Sequence, residues 1–198
     1  MKMLYLHGFA SSGASGTIGM LRREFYARPA KDRLEVVAPD IPVDPNEAMT
    51  MLTALVKEVD PVIIVGTSMG GFYTQMLRGY PRICVNPSFV LSKFYSHYHV
   101  GKYRWLNPRK DGETEFHIYK ETIEALKALE ARQFEGITDL DRSLCYGLFA
   151  DADEFGSDSK VVFDRLYPGQ SRVFSGGHRL NDNAVKNALL PFIDKILY

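Results

Sequence analysis

Short apolar runs alternate along the chain with segments whose apolar positions follow helical spacing. Six of these runs are rich in β-branched or aromatic residues and have the length of buried strands. They cover residues 3–8, 34–40, 61–66, 82–87, 143–150 and 171–177. Because helical segments separate most of them, the pattern predicts an α/β fold with a mostly or wholly parallel, doubly wound sheet of about six strands.

Two early segments show the helical pattern clearly. Their apolar residues recur three or four positions apart, as on one face of a helix. These are Ile18, Leu21 and Phe25 in the first segment, and Ala48, Leu52, Leu55 and Val59 in the second. The second helix is predicted to begin after Asp44, with Pro45 in its first position and Glu47 in its third, as in a typical helix start.

The alternation is interrupted between residues 90 and 142. This part of the chain contains several aromatic residues and one helical segment, residues 121–134. The aromatic residues are Phe94, Tyr95, Tyr98, Tyr103 and Trp105. We therefore expect one domain over residues 1–198, in which residues 90–142 form a short helical insertion that covers the functional site like a lid.

The third apolar run ends in an unusual turn, "PVIIVGTSMGGF" (residues 61–72). Residues 66–70 match the pattern Gly-x-Ser-x-Gly, with a predicted strand before them and a helix-forming stretch after them. A sharp strand-to-helix turn brings the residues two before and two after the serine close together, so glycine is needed at both places. The pattern predicts that Ser68 is a nucleophile, although serine also serves simply as a helix N-cap.

A serine nucleophile requires a base, and His178 is the best candidate. It follows the last predicted strand and lies after Gly176 and Gly177, in a loop at the carboxyl end of that strand. Ser68 is expected at the same edge of the sheet. The remaining histidines are expected to be solvated, to pack within the insertion or, for the first of them, to be structural: His7, His97, His99 and His117.

An acid is required to orient the imidazole, and the segment "CYGLFADADEF" offers several. Asp153 is favoured, because it lies far enough beyond the strand to turn back toward His178. Asp151 is the alternative, although its position next to the strand is more typical of a residue that caps the turn. The order Ser68, Asp153, His178 is the order of the triad in α/β-hydrolases.

Two backbone N–H groups are predicted to form an oxyanion hole. One belongs to Met69, which follows Ser68 at the start of a helix, where partial positive charge accumulates. The other belongs to Phe9, in the loop "HGFASS" after the first strand, where Gly8 lets the backbone turn. The residues that bind the rest of the substrate are not identified by the sequence.

The composition excludes several classes of partner. Lys and Arg together number 24, as do Asp and Glu, so the chain has no net charge that would attract nucleic acid or an anionic membrane. No stretch approaches the about 20 apolar residues of a membrane span. The apolar run at the N-terminus is too short for a signal peptide. A small-molecule partner is therefore expected.

The two cysteines, Cys84 and Cys145, each lie in a predicted buried strand. Two such thiols make neither a disulfide framework nor a metal cluster, so we interpret them as reduced core residues. Their reduced state favours a cytoplasmic location. The predicted chemistry requires no metal and no organic cofactor.

These segments together resemble the α/β-hydrolase superfamily, and more narrowly the small bacterial YqiA/YcfP-like (UPF0227-type) esterases. The resemblance is carried by "LYLHGFASS", "PDIPVDPNEA", "GTSMGGF", "NPSF", "DGETEFHIYKETIEALKAL", "DADEFGSD" and "GGHR". It implies a sheet without the two antiparallel strands that open the larger folds. It also implies ester or thioester hydrolysis by Ser68, Asp153 and His178, with Phe9 and Met69 as oxyanion donors. The segment "EFGSD" departs from the family pattern, which more typically has an aliphatic pair between the two acidic residues.

The sequence thus predicts a serine hydrolase that cleaves small-molecule esters or thioesters of small to medium acyl groups. A peptidase or a sugar deacetylase would use the same residues. The alternative from another class is a non-catalytic protein that holds a phosphate or carboxylate at the glycine-rich helix start. It would give Asp153 and His178 no role, and the chain has neither a Gly-Lys-Ser/Thr sequence nor a Gly-x-Gly-x-x-Gly sequence for a nucleotide. The leaving group and the oligomeric state stay open.

Overall fold

The computed structural model describes residues 1–98, 100–155 and 157–198. Its strands are β1 (Lys2–Leu6), β2 (Glu35–Val37), β3 (Ile63–Thr67), β4 (Arg82–Val85), β5 (Gly101–Arg104), β6 (Glu115–Ile118), β7 (Cys145–Ala150) and β8 (Ser171–Phe174). Six of them form one sheet in the order β2-β1-β3-β4-β7-β8, and every neighbouring pair is parallel. The predicted six-stranded parallel sheet is confirmed.

Helices connect these strands, as the alternating pattern predicted. They are α1 (Gly16–Tyr26), α2 (Pro45–Val59), α3 (Met69–Met76), α4 (Leu91–Tyr98), α5 (Lys120–Arg132), α6 (Asp139–Ser143), α7 (Ser157–Leu166), α8 (Asp182–Ala184) and α9 (Leu190–Leu197). A short 3-10 helix (Ala30–Asp32) precedes β2, and a π-helical turn (Val185–Leu189) joins α8 to α9. Within the described residues, no helix is long and apolar enough to cross a membrane.

The start of α2 is the predicted one. The Asp44 carboxylate accepts hydrogen bonds from the backbone N–H groups of Asn46 and Glu47, and Pro45 is the first helical residue. These bonds satisfy two of the N–H groups that the first turn of a helix leaves without a carbonyl. The local sequence alone therefore specifies where this helix begins.

The core lies on both faces of the sheet, because successive residues of a strand point to opposite sides. Met3 and Tyr5 of β1 pack with α1 and the C-terminal helices, whereas Leu4 and Leu6 pack with α2, α3 and α5. A third cluster under α7 contains Cys84 and Cys145, which are free and fully buried. The interpretation of the cysteines as core residues is confirmed.

The segment 90–142 contains more than the one helix predicted over residues 121–134, which corresponds to α5. Strands β5 and β6 pair as an antiparallel hairpin outside the main sheet, with the connection 105–114 between them. The sequence analysis missed this hairpin, because each strand has only four residues, although Asp111-Gly112 in the connection is a turn signal that could have indicated it. Lys102 and Glu115 form an ion pair on its outer side, and Phe116 is buried on its inner side.

Candidate active site

Ser68 lies in the sharp turn between β3 and α3, with a backbone φ of 54° and ψ of −115°. A positive φ strains any residue with a Cβ, so the surrounding structure must hold it. The Ser68 N–H donates to the Val85 carbonyl at 3.0 Å. The Ser68 carbonyl accepts from the N–H groups of Phe72 at 3.1 Å and Ser88 at 3.2 Å. These three bonds fix the strained residue at the carboxyl end of the sheet.

The two glycines of the turn have the predicted steric role. A Cβ on Gly66 would lie 2.2 Å from Thr74 Oγ1 and 2.3 Å from the Gly70 carbonyl oxygen. A Cβ on Gly70 would lie 2.0 Å from the carbonyl oxygen of Leu6 in β1. No side chain fits at either position unless the backbone moves. The turn that presents Ser68 thus depends on both glycines.

His178 and Asp153 form a hydrogen-bonded pair. His178 Nδ1 lies 2.9 Å from Asp153 Oδ1, and their side chains are 16% and 7% exposed. The same carboxylate oxygen accepts from the Phe155 N–H at 2.9 Å. With Nδ1 facing the carboxylate, Nε2 is the ring nitrogen that would accept a proton from Ser68.

Asp151 has a different place. Its carboxylate accepts from the Gly176 N–H at 3.0 Å, and its own N–H donates to the Phe174 carbonyl at 2.9 Å. These bonds connect the end of β7 to the loop that carries His178. Of the two candidate acids, the structure therefore brings Asp153 to the imidazole and places Asp151 at the base of the loop.

Asn86 is a residue that the sequence analysis did not assign to the site. It follows β4, is 1% exposed and has a φ of 42°. Its side-chain oxygen accepts from the Ala150 N–H at 2.7 Å, and its side-chain amide donates to the His178 carbonyl at 2.9 Å. The available signal was an asparagine directly after a buried strand, since asparagine tolerates positive φ better than most residues.

Asn86 also shows how Ser68 and His178 come to one edge of the sheet. Val85 receives the Ser68 N–H, and the next residue, Asn86, holds the His178 carbonyl. Among the described residues, the Ser68 hydroxyl makes no hydrogen bond to the imidazole. Such bonds are often long in structures without substrate and tighten when it binds.

The proposed oxyanion donors flank Ser68. A Cβ on Gly8 would lie 3.5 Å from Ser68 Cβ, so the loop that carries Phe9 passes directly beside Ser68. Met69 is the first residue of α3, and the helix itself supplies no carbonyl for its N–H. Both residues are thus adjacent to Ser68, one in sequence and one through the fold.

His7 lies beneath this loop and is 1% exposed. Its Nδ1 lies 2.8 Å from the Gly8 carbonyl, and Nε2 accepts from the Ile41 N–H at 3.0 Å. Burial lowers the pKa of His7 from 6.5 to about 4, because the charged ring would lose its hydration. The ring is neutral at pH 7 and satisfied at both nitrogens, in agreement with the predicted structural role.

One exposed apolar side chain lies against His178. The Phe155 ring meets the His178 ring edge to face, with centroids 5.2 Å apart, and is 69% exposed. The surface beside the candidate base is therefore partly apolar.

Two cavities of about 220 and 420 Å³ lie elsewhere, at the β8 edge of the sheet. They share Arg172, Phe192 and Lys195 and contain none of the predicted site residues. Among the described residues, neither cavity is lined by a histidine or a carboxylate that could activate a hydroxyl. In the described part of the chain, no three His, Cys, Asp or Glu side chains group as a metal site would require.

The comparison with protein families adds to this geometry. The sequence model described as "Uncharacterised protein family (UPF0227)" matches residues 2–182. The chain belongs to the UPF0227 family. A comparison with curated proteins found no match.

Solved structures with the same fold include several ester-cleaving enzymes. The UPF0227 chain is similar to Est1E from Butyrivibrio proteoclasticus, with 14% identity, a TM-score of 0.64 and coverage of 98% of this chain and 86% of that one. It is similar to the Paleococcus ferrophilus monoacylglycerol lipase, with 15% identity, a TM-score of 0.65 and coverage of 98% and 93%. It is also similar to a thioesterase domain from the curacin biosynthetic pathway, with 13% identity, a TM-score of 0.55 and coverage of 99% and 90%. The fold of this UPF0227 protein is that of the α/β-hydrolases.

Proposed function

We propose that the protein is a serine hydrolase that cleaves carboxylic esters or thioesters of small to medium acyl groups through an acyl-enzyme. Ser68 is the nucleophile, His178 the base and Asp153 the acid that orients the imidazole. The backbone N–H groups of Phe9 and Met69 form the oxyanion hole. No metal or organic cofactor enters this reaction.

In the first half of the reaction, His178 Nε2 removes the proton of the Ser68 hydroxyl as its oxygen attacks the carbonyl carbon. The carbonyl oxygen becomes negative and is stabilised by the Phe9 and Met69 N–H groups. As the intermediate collapses, the protonated imidazole donates to the leaving alcohol or thiol. The acyl group stays on Ser68. Water, deprotonated by His178, then releases the carboxylic acid.

One observation carries the proposal. Ser68, in a strained turn between two sterically required glycines, lies at the same sheet edge as a partly buried His178–Asp153 pair. A mere helix cap or anion site has no use for a histidine whose ring is oriented by a carboxylate. Strained backbone and an oriented base at one place are typical of nucleophilic catalysis.

The substrate class is supported by two further observations. The similar solved structures are described as a monoacylglycerol lipase, a thioesterase domain and an esterase domain. Phe155 supplies exposed apolar surface against His178, where an acyl chain or an apolar leaving group would gain by burial. Both favour a neutral, partly apolar ester or thioester.

The two buried thiols favour a cytoplasmic location.

The test combines labelling with activity. The native protein is expected to react with a fluorophosphonate at Ser68 and to hydrolyse members of a p-nitrophenyl ester panel from acetate to palmitate. Ser68→Ala is expected to lose labelling and to lower kcat about a thousandfold or more. Ser143→Ala, which changes an exposed serine of α6, is the matched control and should retain both.

A native protein that stays unlabelled beside a reacting serine hydrolase would overturn the proposal and favour the anion-binding alternative. Activity that survives Ser68→Ala would reject the assigned nucleophile. Preference for peptide amides or acetylated sugars over the ester panel would identify the same machinery as a peptidase or a deacetylase.

A further inference from the structure

A loop of the hairpin contacts the loop that carries Phe9. We call residues 105–110, which follow β5, the clamp loop, and residues 8–14, which follow β1, the oxyanion loop. The Leu106 N–H donates a hydrogen bond of 2.7 Å to the Ala10 carbonyl. Ala10 has a φ of 56°, a strained value for a residue with a Cβ. The clamp loop thus binds the strained residue next to Phe9.

Side-chain hydrogen bonds join the same two loops. The hydroxyl of Ser12, which is fully buried, donates to the Pro108 carbonyl at 2.6 Å. The Asn107 side-chain amide donates to the Ser11 hydroxyl at 3.0 Å. A buried hydroxyl that lost its partner would be destabilising, so these contacts favour one relative placement of the loops.

The Asp40 carboxylate, which belongs to the segment after β2, forms hydrogen bonds with both loops. One of its oxygens accepts from the Gly13 N–H and the other from the Lys110 N–H, each at 2.7 Å. Gly13 is close enough to this segment that a Cβ would lie 2.5 Å from the Ala38 carbonyl oxygen. A single charged group thus holds one backbone N–H from each loop, and charge-assisted bonds of this kind are stronger than neutral ones.

The Phe9 side chain is also held by the insertion. Its ring lies edge to face with Phe116 of β6, with centroids 5.6 Å apart, and with Tyr95 of α4, with centroids 4.7 Å apart. On the other side of Phe116, the Trp105 ring lies 4.3 Å away and carries the Arg109 guanidinium above it at 4.2 Å. Residue 9 is therefore fixed through its ring and through the backbone that follows it.

We propose that the clamp loop positions the Phe9 N–H for the oxyanion, so that Leu106, Asn107 and Asp40 are positioning residues of the hydrolysis reaction. The inference rests on the proposed function and adds a task to the hairpin. In this role the hairpin supports the oxyanion hole. The substrate oxygen becomes negative only in the transition state and the intermediate that follows it. Displacement of the Phe9 N–H therefore lowers kcat and leaves KM nearly unchanged.

The sharpest test compares two substitutions at one position. Leu106→Pro removes the N–H that binds Ala10, whereas Leu106→Ala keeps it; the side chain itself is 64% exposed. We expect kcat of Leu106→Pro to be about tenfold or more below that of Leu106→Ala, with KM values within about threefold, since complete loss of one oxyanion donor costs about 100- to 1,000-fold.

A second measurement separates this role from a general loss of structure. A trifluoromethyl ketone forms an adduct with Ser68 that carries an oxyanion, so its affinity should fall in proportion to kcat/KM in Leu106→Pro. Fluorophosphonate labelling of Ser68 should still reach completion, which reports that Ser68 and His178 are intact, although more slowly because the phosphonyl oxygen uses the same N–H donors. Equal kcat and equal ketone affinity in the two Leu106 variants would overturn the inference.

Asp40→Asn keeps the proposal testable if Leu106→Pro does not fold. The amide nitrogen cannot accept a hydrogen bond, so one of the two N–H contacts is lost while the shape stays the same. We expect kcat to be about tenfold lower at nearly constant KM, because the Phe9 N–H would be displaced and not lost completely. Unchanged kcat and ketone affinity in this variant would contradict the inference. If the native protein neither labels nor hydrolyses esters, the proposed function has failed, and the inference falls with it.

Discussion

The side-chain amide of Asn86 donates a hydrogen bond of 2.9 Å to the backbone carbonyl of His178, 92 positions later in the chain. Through its oxygen the same side chain holds the N–H of Ala150 at the end of β7. Asn86 therefore connects the ends of β4 and β7 to the loop that follows β8, three neighbouring strands of the sheet. The position of the imidazole is set by the sheet as well as by its own glycine-containing loop.

Asn86→Ala should therefore affect both stability and catalysis. It leaves the Ala150 N–H without its side-chain partner and puts alanine, which tolerates positive φ less well than asparagine, at a φ of 42°, so we expect a loss of about 2 kcal/mol in unfolding free energy. Because the His178 carbonyl is released, kcat should fall as well. Urea denaturation and ester kinetics measure the two effects. Asn187→Ala, at an exposed asparagine, is the control and should match the native protein; an Asn86→Ala variant that also matches it would contradict this view.

The two acids after β7 can be distinguished by matched substitutions. Asp153→Asn removes the carboxylate that faces His178 Nδ1, so the wrong tautomer is favoured and kcat should fall about 1,000-fold or more. Asp151→Asn keeps an oxygen that can accept from the Gly176 N–H, so we expect less than about a tenfold loss. Steady-state kinetics on one ester decides between them. The reverse order of effects would make Asp151 the acid.

Substitution of a glycine in the Ser68 turn should lower the stability of the protein, whereas substitution of a surface glycine should not. In Gly70→Ala the new Cβ would lie 2.0 Å from the Leu6 carbonyl oxygen, so the backbone must move. We expect a loss of about 3 kcal/mol or more, at or above the usual cost of overpacking. Gly19→Ala, in the exposed face of α1 with no atom within 4 Å, should instead stabilise by about 0.5–1 kcal/mol. Thermal unfolding of both variants tests this, and equal effects would show that the turn tolerates a side chain.

The buried His7 predicts a loss of stability in acid. Its pKa is about 4 in the folded protein, against 6.5 for an ordinary histidine, because burial disfavours the charged ring. The unfolded chain binds the proton first, so this contribution is fully present above pH 6.5 and is lost as the pH falls toward 4. Integrated over that window, it amounts to about 3 kcal/mol.

Urea denaturation between pH 7 and 4 measures this contribution. His7→Gln should be less stable than the native protein at pH 7, since it cannot reproduce both ring hydrogen bonds, but its stability should fall less steeply with acid. His117→Gln, at a half-buried position of β6, is the control and should keep the native profile. An equally steep acid profile in His7→Gln would contradict the assignment.

The sequence determined those features that are encoded locally. Each buried strand of the sheet appears as an apolar run, because a parallel strand is covered on both faces and leaves little room for polar residues. The start of α2 is specified by Asp44 and Pro45 within a few residues, and the Ser68 turn by Gly66 and Gly70. In each case the physical cause acts between neighbours in the chain, so the pattern itself carries the information.

The tertiary structure decided the features that depend on contacts between distant segments. Asp151 and Asp153 are two residues apart and chemically identical, and what separates them is that one meets His178 while the other meets Gly176. The bond from Asn86 to His178 and the contact of Leu106 with Ala10 likewise join residues far apart in the chain. Whether such groups meet depends on how the chain packs as a whole, because a hydrogen bond forms only within about 3 Å and in a suitable direction.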